Sequence, residues 1–170
     1  MYSIITTDPL ALKILMTEDI YELNKSELEV LQTTSFAPEK SQENPNFNYM
    51  GENNKYFLFL IREEKAEVIS KPDLEALTGI LAAKKMDLRD VAVLNYKKYP
   101  GIDFSQLKSF FACSKCVLLG INPSDLNLSD VPGNKISVID GVKVLATFSF
   151  GKMQADINKK RVFWNEMKQL

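Results

Sequence analysis

Tyr56-Phe-Leu-Phe-Leu-Ile61 decides the fold class. Six apolar residues in a row, with no apolar–polar alternation, are the signature of a strand buried on both faces of a parallel sheet. Val91-Ala-Val-Leu-Asn95 is a second such run, and Cys116-Val-Leu-Leu-Gly-Ile121 a third. Between the first two, Pro72 to Met86 puts Leu74, Leu77, Ile80 and Leu81 on one helical face, with Pro72 where a first turn tolerates it. Phe104 to Phe111 reads as a short helix with Phe104, Leu107 and Phe111 facing one way. Ile136 to Thr147 reads as a hairpin turning at Asp140-Gly141. The last helix is expected from about Asp156 to the C-terminus, with Ile157, Phe163, Trp164, Met167 and Leu170 apolar. Alternating strands and helices predict a three-layer α/β domain around a central parallel sheet covered on both faces.

Residues 1–50 read differently, as an N-terminal helical or extended segment and linker preceding a domain over 51–170. Thr17 to Leu31 mixes apolar and acidic residues, with a break near Asn24-Lys25-Ser26 where Ser26 caps a second piece and Glu29 follows three residues later. Thr33 to Asn48 holds Pro38 and Pro45 among polar residues and reads as a loop. Ile20, Tyr21, Leu23, Leu28, Val30 and Leu31 would either dock on their own domain or form an amphipathic helix for a partner's groove.

The bulk properties exclude several classes. A chain of 170 residues, 45% hydrophobic and 25% charged, is long enough to fold around its own core. A net charge of −1 gives no global field toward DNA or anionic membranes, so any nucleic-acid contact must come from a local patch. No run approaches the roughly 18 apolar residues of a membrane span. The opening Met1-Tyr-Ser-Ile-Ile-Thr-Thr-Asp8 lacks the basic region and cleavage site of a signal peptide, so a cytoplasmic protein is expected. The chain has no histidine, which leaves general acid–base work to carboxylates, Lys, Tyr or Cys. Cys113 and Cys116 form a lone Cys-Ser-Lys-Cys. A zinc site or cluster needs four ligands, so the pair reads as core packing against redox or metal use, and no metal or cofactor is expected.

The last quarter, Val144-Leu-Ala-Thr-Phe-Ser-Phe-Gly-Lys-Met-Gln-Ala-Asp-Ile-Asn-Lys-Lys-Arg-Val-Phe-Trp-Asn-Glu-Met-Lys-Gln-Leu170, carries a likeness. It resembles the C-terminal motif of uracil-DNA glycosylases of the thermophilic, iron–sulfur type. There a strand ending in Thr-Tyr-His-Pro leads through a loop to a helix with a Lys-Arg-x-x-Trp-Glu-x-Leu pattern. Ser149 stands at the histidine position and Phe150 at the proline position. Val93-Leu-Asn95-Tyr-Lys-Lys-Tyr-Pro-Gly101 matches the family's asparagine followed by a basic, proline-containing stretch. Val117-Leu-Leu-Gly120 matches its third strand, and the likeness covers roughly residues 55–170. The family's Gly-Glu-x-Pro-Gly loop is missing: Ile61-Arg-Glu-Glu-Lys65 follows the first strand, where Glu63 or Glu64 either mimics its carboxylate or belongs to a solvated charge run.

The resemblance implies a glycosylase-like α/β domain with Asn95 at the base-reading position and Ser149 in place of the catalytic histidine. A neutral serine supplies no cationic or acidic donor near neutral pH. In outline the chain is also similar to the psi subunit family of bacterial DNA polymerase III, which has the same fold without catalysis. That likeness implies a non-catalytic interaction module of replication or repair, with a clamp-loader-type protein partner. The alternative is a DNA-processing enzyme or base-binding protein using the cleft near Asn95 and Ser149. The candidate nucleic-acid contacts are Lys97, Lys98, Tyr99 and Lys152, expected near the carboxyl edge of the sheet, and Lys159, Lys160 and Arg161, expected in the first turns of the last helix. Trp164, the single tryptophan, is either core or a partner anchor.

Overall fold

A computed structural model describes residues 46–170. The candidate partner residues Ile20, Tyr21, Leu23, Leu28, Val30 and Leu31 lie outside them. The strands are β1 (Tyr49–Met50), β2 (Phe57–Ile61), β3 (Val91–Asn95), β4 (Lys115–Leu119), β5 (Ile136–Ile139) and β6 (Val142–Thr147). The helices are α1 (Lys71–Ala83), α2 (Phe104–Phe111), α3 (Phe150–Ala155) and α4 (Ile157–Met167). The sheet order is β1-β3-β2-β4-β6-β5. β3, β2, β4 and β6 run parallel, whereas β1 pairs antiparallel with β3 and β5 antiparallel with β6. The sheet is therefore mixed, a parallel core with two antiparallel edges, where the sequence predicts a parallel one. The β5–β6 hairpin makes one of those edges, and its turn puts Asp140 and Gly141 at φ 49° and 81°, the left-handed pair that a two-residue hairpin needs.

Every residue of β2 and β3 is buried, as their unbroken apolar runs require. Alternate residues serve opposite faces. Leu58, Leu60, Ala92, Leu94, Cys116, Leu118 and Val144 pack with Phe104, Leu107 and Phe111 of α2. Phe57, Phe59, Ile61, Val93, Val117 and Leu145 pack with Leu77 and Leu81 of α1, Phe150 and Met153 of α3, and Phe163 and Met167 of α4. The result is three layers, with one helix on one face and three on the other. Phe47 is buried in the α2 layer and Tyr49–Met50 pair with β3, so residues 46–50 belong to the folded unit rather than to a preceding segment.

Local signals start the helices where expected. Asp103 accepts from the Gln106 N–H while Gln106 returns a bond to the Asp103 N–H, a reciprocal cap on α2. Asp156 caps α4 by accepting from the Asn158 N–H at 2.9 Å. α3 stands where the sequence predicts a loop. Phe150 and Met153, three residues apart, bury one side of a single turn and a half against the sheet, which overrides the helix-weakening Gly151. Cys113 and Cys116 are free and buried. Burial pushes the Cys113 thiol up to about 11 and holds Cys116 well above its ordinary value, leaving both thiols protonated at neutral pH. Among the described residues no helix is long and apolar enough to cross a membrane.

Candidate functional site

In an open sheet of parallel strands, ligands bind at the carboxyl edge, where successive connections leave in opposite directions. Here that point lies between β2 and β4. The chain leaves β2 toward the α1 layer, whereas the turn Pro123–Leu126 after β4 buries Leu126 in the α2 layer. Asn95, at the end of β3, is fully buried. Its Oδ1 accepts from the N–H groups of Glu63 and Lys97, both at 3.2 Å. Its Nδ2 donates to the carbonyls of Glu63 (3.0 Å), Ala66 (3.1 Å) and Glu67 (3.3 Å). A carboxamide has two donors and two acceptor sites, and all are engaged. Asn95 clamps the loop after β2 to the end of β3, leaving nothing to present to a base.

The loop after β2 is tied down further. Glu63 turns its carboxylate back onto the N–H groups of Glu64 and Lys65. Glu64 pairs with Lys97, whose hydrogen bond and charge hold the glutamate carboxyl below its ordinary value. Arg62 reaches Asp125 at 3.7 Å, spanning the gap between the loops after β2 and β4. The Tyr96 hydroxyl donates to the Asp125 carbonyl at 2.6 Å, joining the loops after β3 and β4.

Between β4 and β6 the closure is steric. Gly120 has φ +72°, and a Cβ added there would meet the Ser149 Cβ at 2.7 Å. The Gly120 N–H donates to the Thr147 carbonyl at 3.0 Å, fixing that approach. Only glycine satisfies both demands. Ser149 is half-buried and opens α3 without a side-chain capping bond. Neither Asn95 nor Ser149 lines any of the clefts described below.

The seven candidate nucleic-acid contacts fall into two groups along the chain. Lys97, Lys98 and Tyr99 follow β3, whereas Lys152, Lys159, Lys160 and Arg161 belong to the helices after β6. Three strand spacings, roughly 14 Å, separate β3 from β6. Tyr99 is not a free stacking platform, because its hydroxyl accepts from the Asn48 N–H at 2.6 Å and its ring packs edge-on against Phe47 at 5.0 Å. Lys159 pairs with Asp156 at 3.3 Å and lies over the Phe148 ring. Lys98, Lys152, Lys160 and Arg161 are exposed and make no ion pair among the described residues.

An apolar concavity lies elsewhere, in the helix layer. A groove of about 590 Å³ lies between α1 on one side and α3 and α4 on the other. Ala76, Gly79, Ile80 and Ala83 line one wall, Ile157, Phe163 and Trp164 the other, and Phe150 and Met153 lie at its base. Its polar lining residues, Glu75, Gln154, Lys160 and Arg161, are all exposed and stand at the rim. Ile157 is 66% exposed and Val162, on the same helix, 42%. A larger cleft of about 810 Å³ is lined only by the loop after β4, between Pro123 and Pro132, and draws on no second element. The sequence shows the groove only indirectly. Its signal is apolar Ile157 and Trp164 on a helix whose core needs Phe163 and Met167 already meet, opposite a helix face made small by Ala76, Gly79 and Ala83.

Compared with protein-family models and with curated proteins, the sequence matches none.

Proposed function

We propose that this protein is a non-catalytic interaction module of a DNA replication or repair assembly, built on a uracil-DNA-glycosylase-like domain that has lost its chemistry and used in the manner of the psi subunit family. One observation carries the reading. Every junction along the parallel carboxyl edge is tied by a contact between its loops: Asn95 between β3 and β2, Arg62 to Asp125 between β2 and β4, Gly120 against Ser149 between β4 and β6. Base excision requires an extruded base held in a close-fitting pocket, with preorganised donors for the departing charge. Here the matching asparagine is consumed by backbone, the histidine position holds a serine, and the loop carboxylate of Glu63 caps its own loop. The polar groups that would act on a substrate are spent on holding the scaffold, while an apolar groove with a charged rim stands open.

In this reading the protein partner is of clamp-loader type, engaged by the N-terminal segment carrying Leu23, Leu28 and Leu31 together with a face of the domain. The test is a nuclease-treated affinity purification from native lysate. The full-length chain is compared with the full-length Leu23→Asp, Leu28→Asp, Leu31→Asp variant. Clamp-loader or single-strand-binding proteins retained by the first and lost by the second are the expected result. Recovery of no replication or repair protein by either, or release of uracil from DNA by the purified chain, overturns the proposal.

A further inference from the structure

Resting on the interaction-module reading, we infer that the groove between α1 and α3–α4 receives one amphipathic helix of a partner protein, with an acidic flank along Lys160 and Arg161. The chemistry of the lining selects a protein helix over other occupants. A small-molecule pocket orients its ligand with a few convergent polar groups inside an apolar wall. In this groove the interior is apolar and every polar lining residue is exposed at the rim, the arrangement of a protein interface core with its polar border. Both walls are helices whose backbone groups are bonded internally, so the groove offers no edge to which a strand could add.

The dimensions fit one helix. Lys84, just past α1, donates to the Met167 carbonyl at the end of α4 at 2.7 Å, so the two walls bring their C-termini together. The lining spans eight residues on each wall, Ala76 to Ala83 and Ile157 to Trp164, whose seven steps cover roughly 10 Å at helical rise. That length takes the side chains at i, i+3 or i+4, and i+7 of an inserted helix. Ala76, Gly79 and Ala83 keep the α1 wall low, which is what admits a backbone cylinder rather than single side chains.

The rim sets the charge of the occupant. Lys160 and Arg161 stand on the α4 wall with no ion-pair partner among the described residues, and Glu75 stands on the α1 wall. Opposite signs on the two walls orient an inserted helix, with its carboxylates against α4, and the two-to-one excess of cations favours an acidic partner.

The experiment uses the full-length chain throughout. A displayed library of helical peptides about 18 residues long, enough for helicity alone, is selected on wild type and counter-selected on Gly79→Leu. A Cβ at Gly79 meets nothing within 4 Å, so a leucine there starts without a clash and takes up groove volume. Trp164, the only tryptophan, lines the groove and reports binding by its fluorescence. The expected winners carry an apolar stripe with Asp or Glu on one flank. Their affinity should fall at least about 30-fold on Gly79→Leu, as for loss of a buried hot spot, and about tenfold in the Lys160→Glu, Arg161→Glu variant, as for charge reversal at a rim. Winners with a basic or uncharged flank, winners indifferent to Gly79→Leu, or no winners overturn the inference. So does self-association of wild type, by light scattering, that Gly79→Leu abolishes. If Gly79→Leu still captures the replication or repair proteins that wild type captures, the module reading stands and the groove assignment falls.

Discussion

The carboxyl edge of the sheet and the groove in the helix layer make opposite uses of the same kinds of residue. At the edge, polar side chains are consumed inward: Asn95 bonds five backbone groups, and Glu63 folds back onto two N–H groups of its own loop. In the groove, apolar side chains are left outward: Trp164 and Ile80 are only partly covered, and Ile157 is mostly exposed. A buried polar group left unpaired is costly, and exposed apolar surface costs water-contact free energy, so neither arrangement is neutral. What separates them is satisfaction. The edge has no bonding capacity left at Asn95, whereas the groove still has surface to bury.

That contrast breaks first at Asn95. Asn95→Ala should destabilise the fold by about 3 kcal/mol, because it empties a fully buried site and removes the five hydrogen bonds by which that side chain anchors the part-buried 63–67 loop and Lys97. Urea unfolding measures it, and a cost below about 0.5 kcal/mol, the range of an ordinary exposed substitution, would mean that Asn95 does not close the edge. Gly120→Ala comes next, at about 2–3 kcal/mol, combining a left-handed backbone with the 2.7 Å approach to the Ser149 Cβ. A variant as stable as wild type would show that β4 and β6 ends can part, and that a cleft beside Ser149 opens at little cost.

The groove should behave in the opposite sense. Gly79→Ala ought to stabilise the protein by roughly 0.5–1 kcal/mol, since the position is helical, solvent-facing and free of any neighbour within 4 Å of the added Cβ. Thermal melting of the two full-length proteins decides it. A loss of stability would mean that α1 needs the glycine for packing, and the groove would then be part of the fold rather than surplus to it.

The two regions also differed in how far the chain itself disclosed them. β2, β3 and β4 were legible because unbroken apolar runs have no other stable home than a doubly covered sheet, and α2 because Phe104, Leu107 and Phe111 share one helical face. β1 was not, since two residues carry no periodicity, and α3 was not, since Gly151, Lys152 and Gln154 leave only Phe150 and Met153 to suggest a helix. Asn95 was found by its place at a strand end, but its task depends on where the backbone of Glu63 to Glu67 passes, which no local pattern encodes. The groove depends on which helices the topology sets side by side. Trp164 reads equally well as core or anchor until α1 is placed beside it.

The finest test concerns a carboxylate at the mouth of the loop after β2. Asp73, in the first turn of α1, has its pKa raised above the ordinary 3.8, first by burial and then by the charge of Glu63. A raised carboxylate lets the unfolded chain release its proton before the folded one does. Stability therefore falls as pH climbs from 3.8 through the raised value, and the deficit persists above it. Asp73→Asn removes that deficit, so the variant should match wild type below pH 3.8 and exceed it at pH 7. The size is small, because the group is only partly buried and water screens Glu63. Opposing it at the helix start are a hydrogen bond with Ser70 and the positive end of α1, which favours a negative charge in its first turn. Paired urea melts at the two pH values separate these. If wild type instead gains on the variant as pH rises, the helix terminus governs Asp73. Glu63 would then be no electrostatic burden, and the inward folding of its carboxylate would cost the edge nothing.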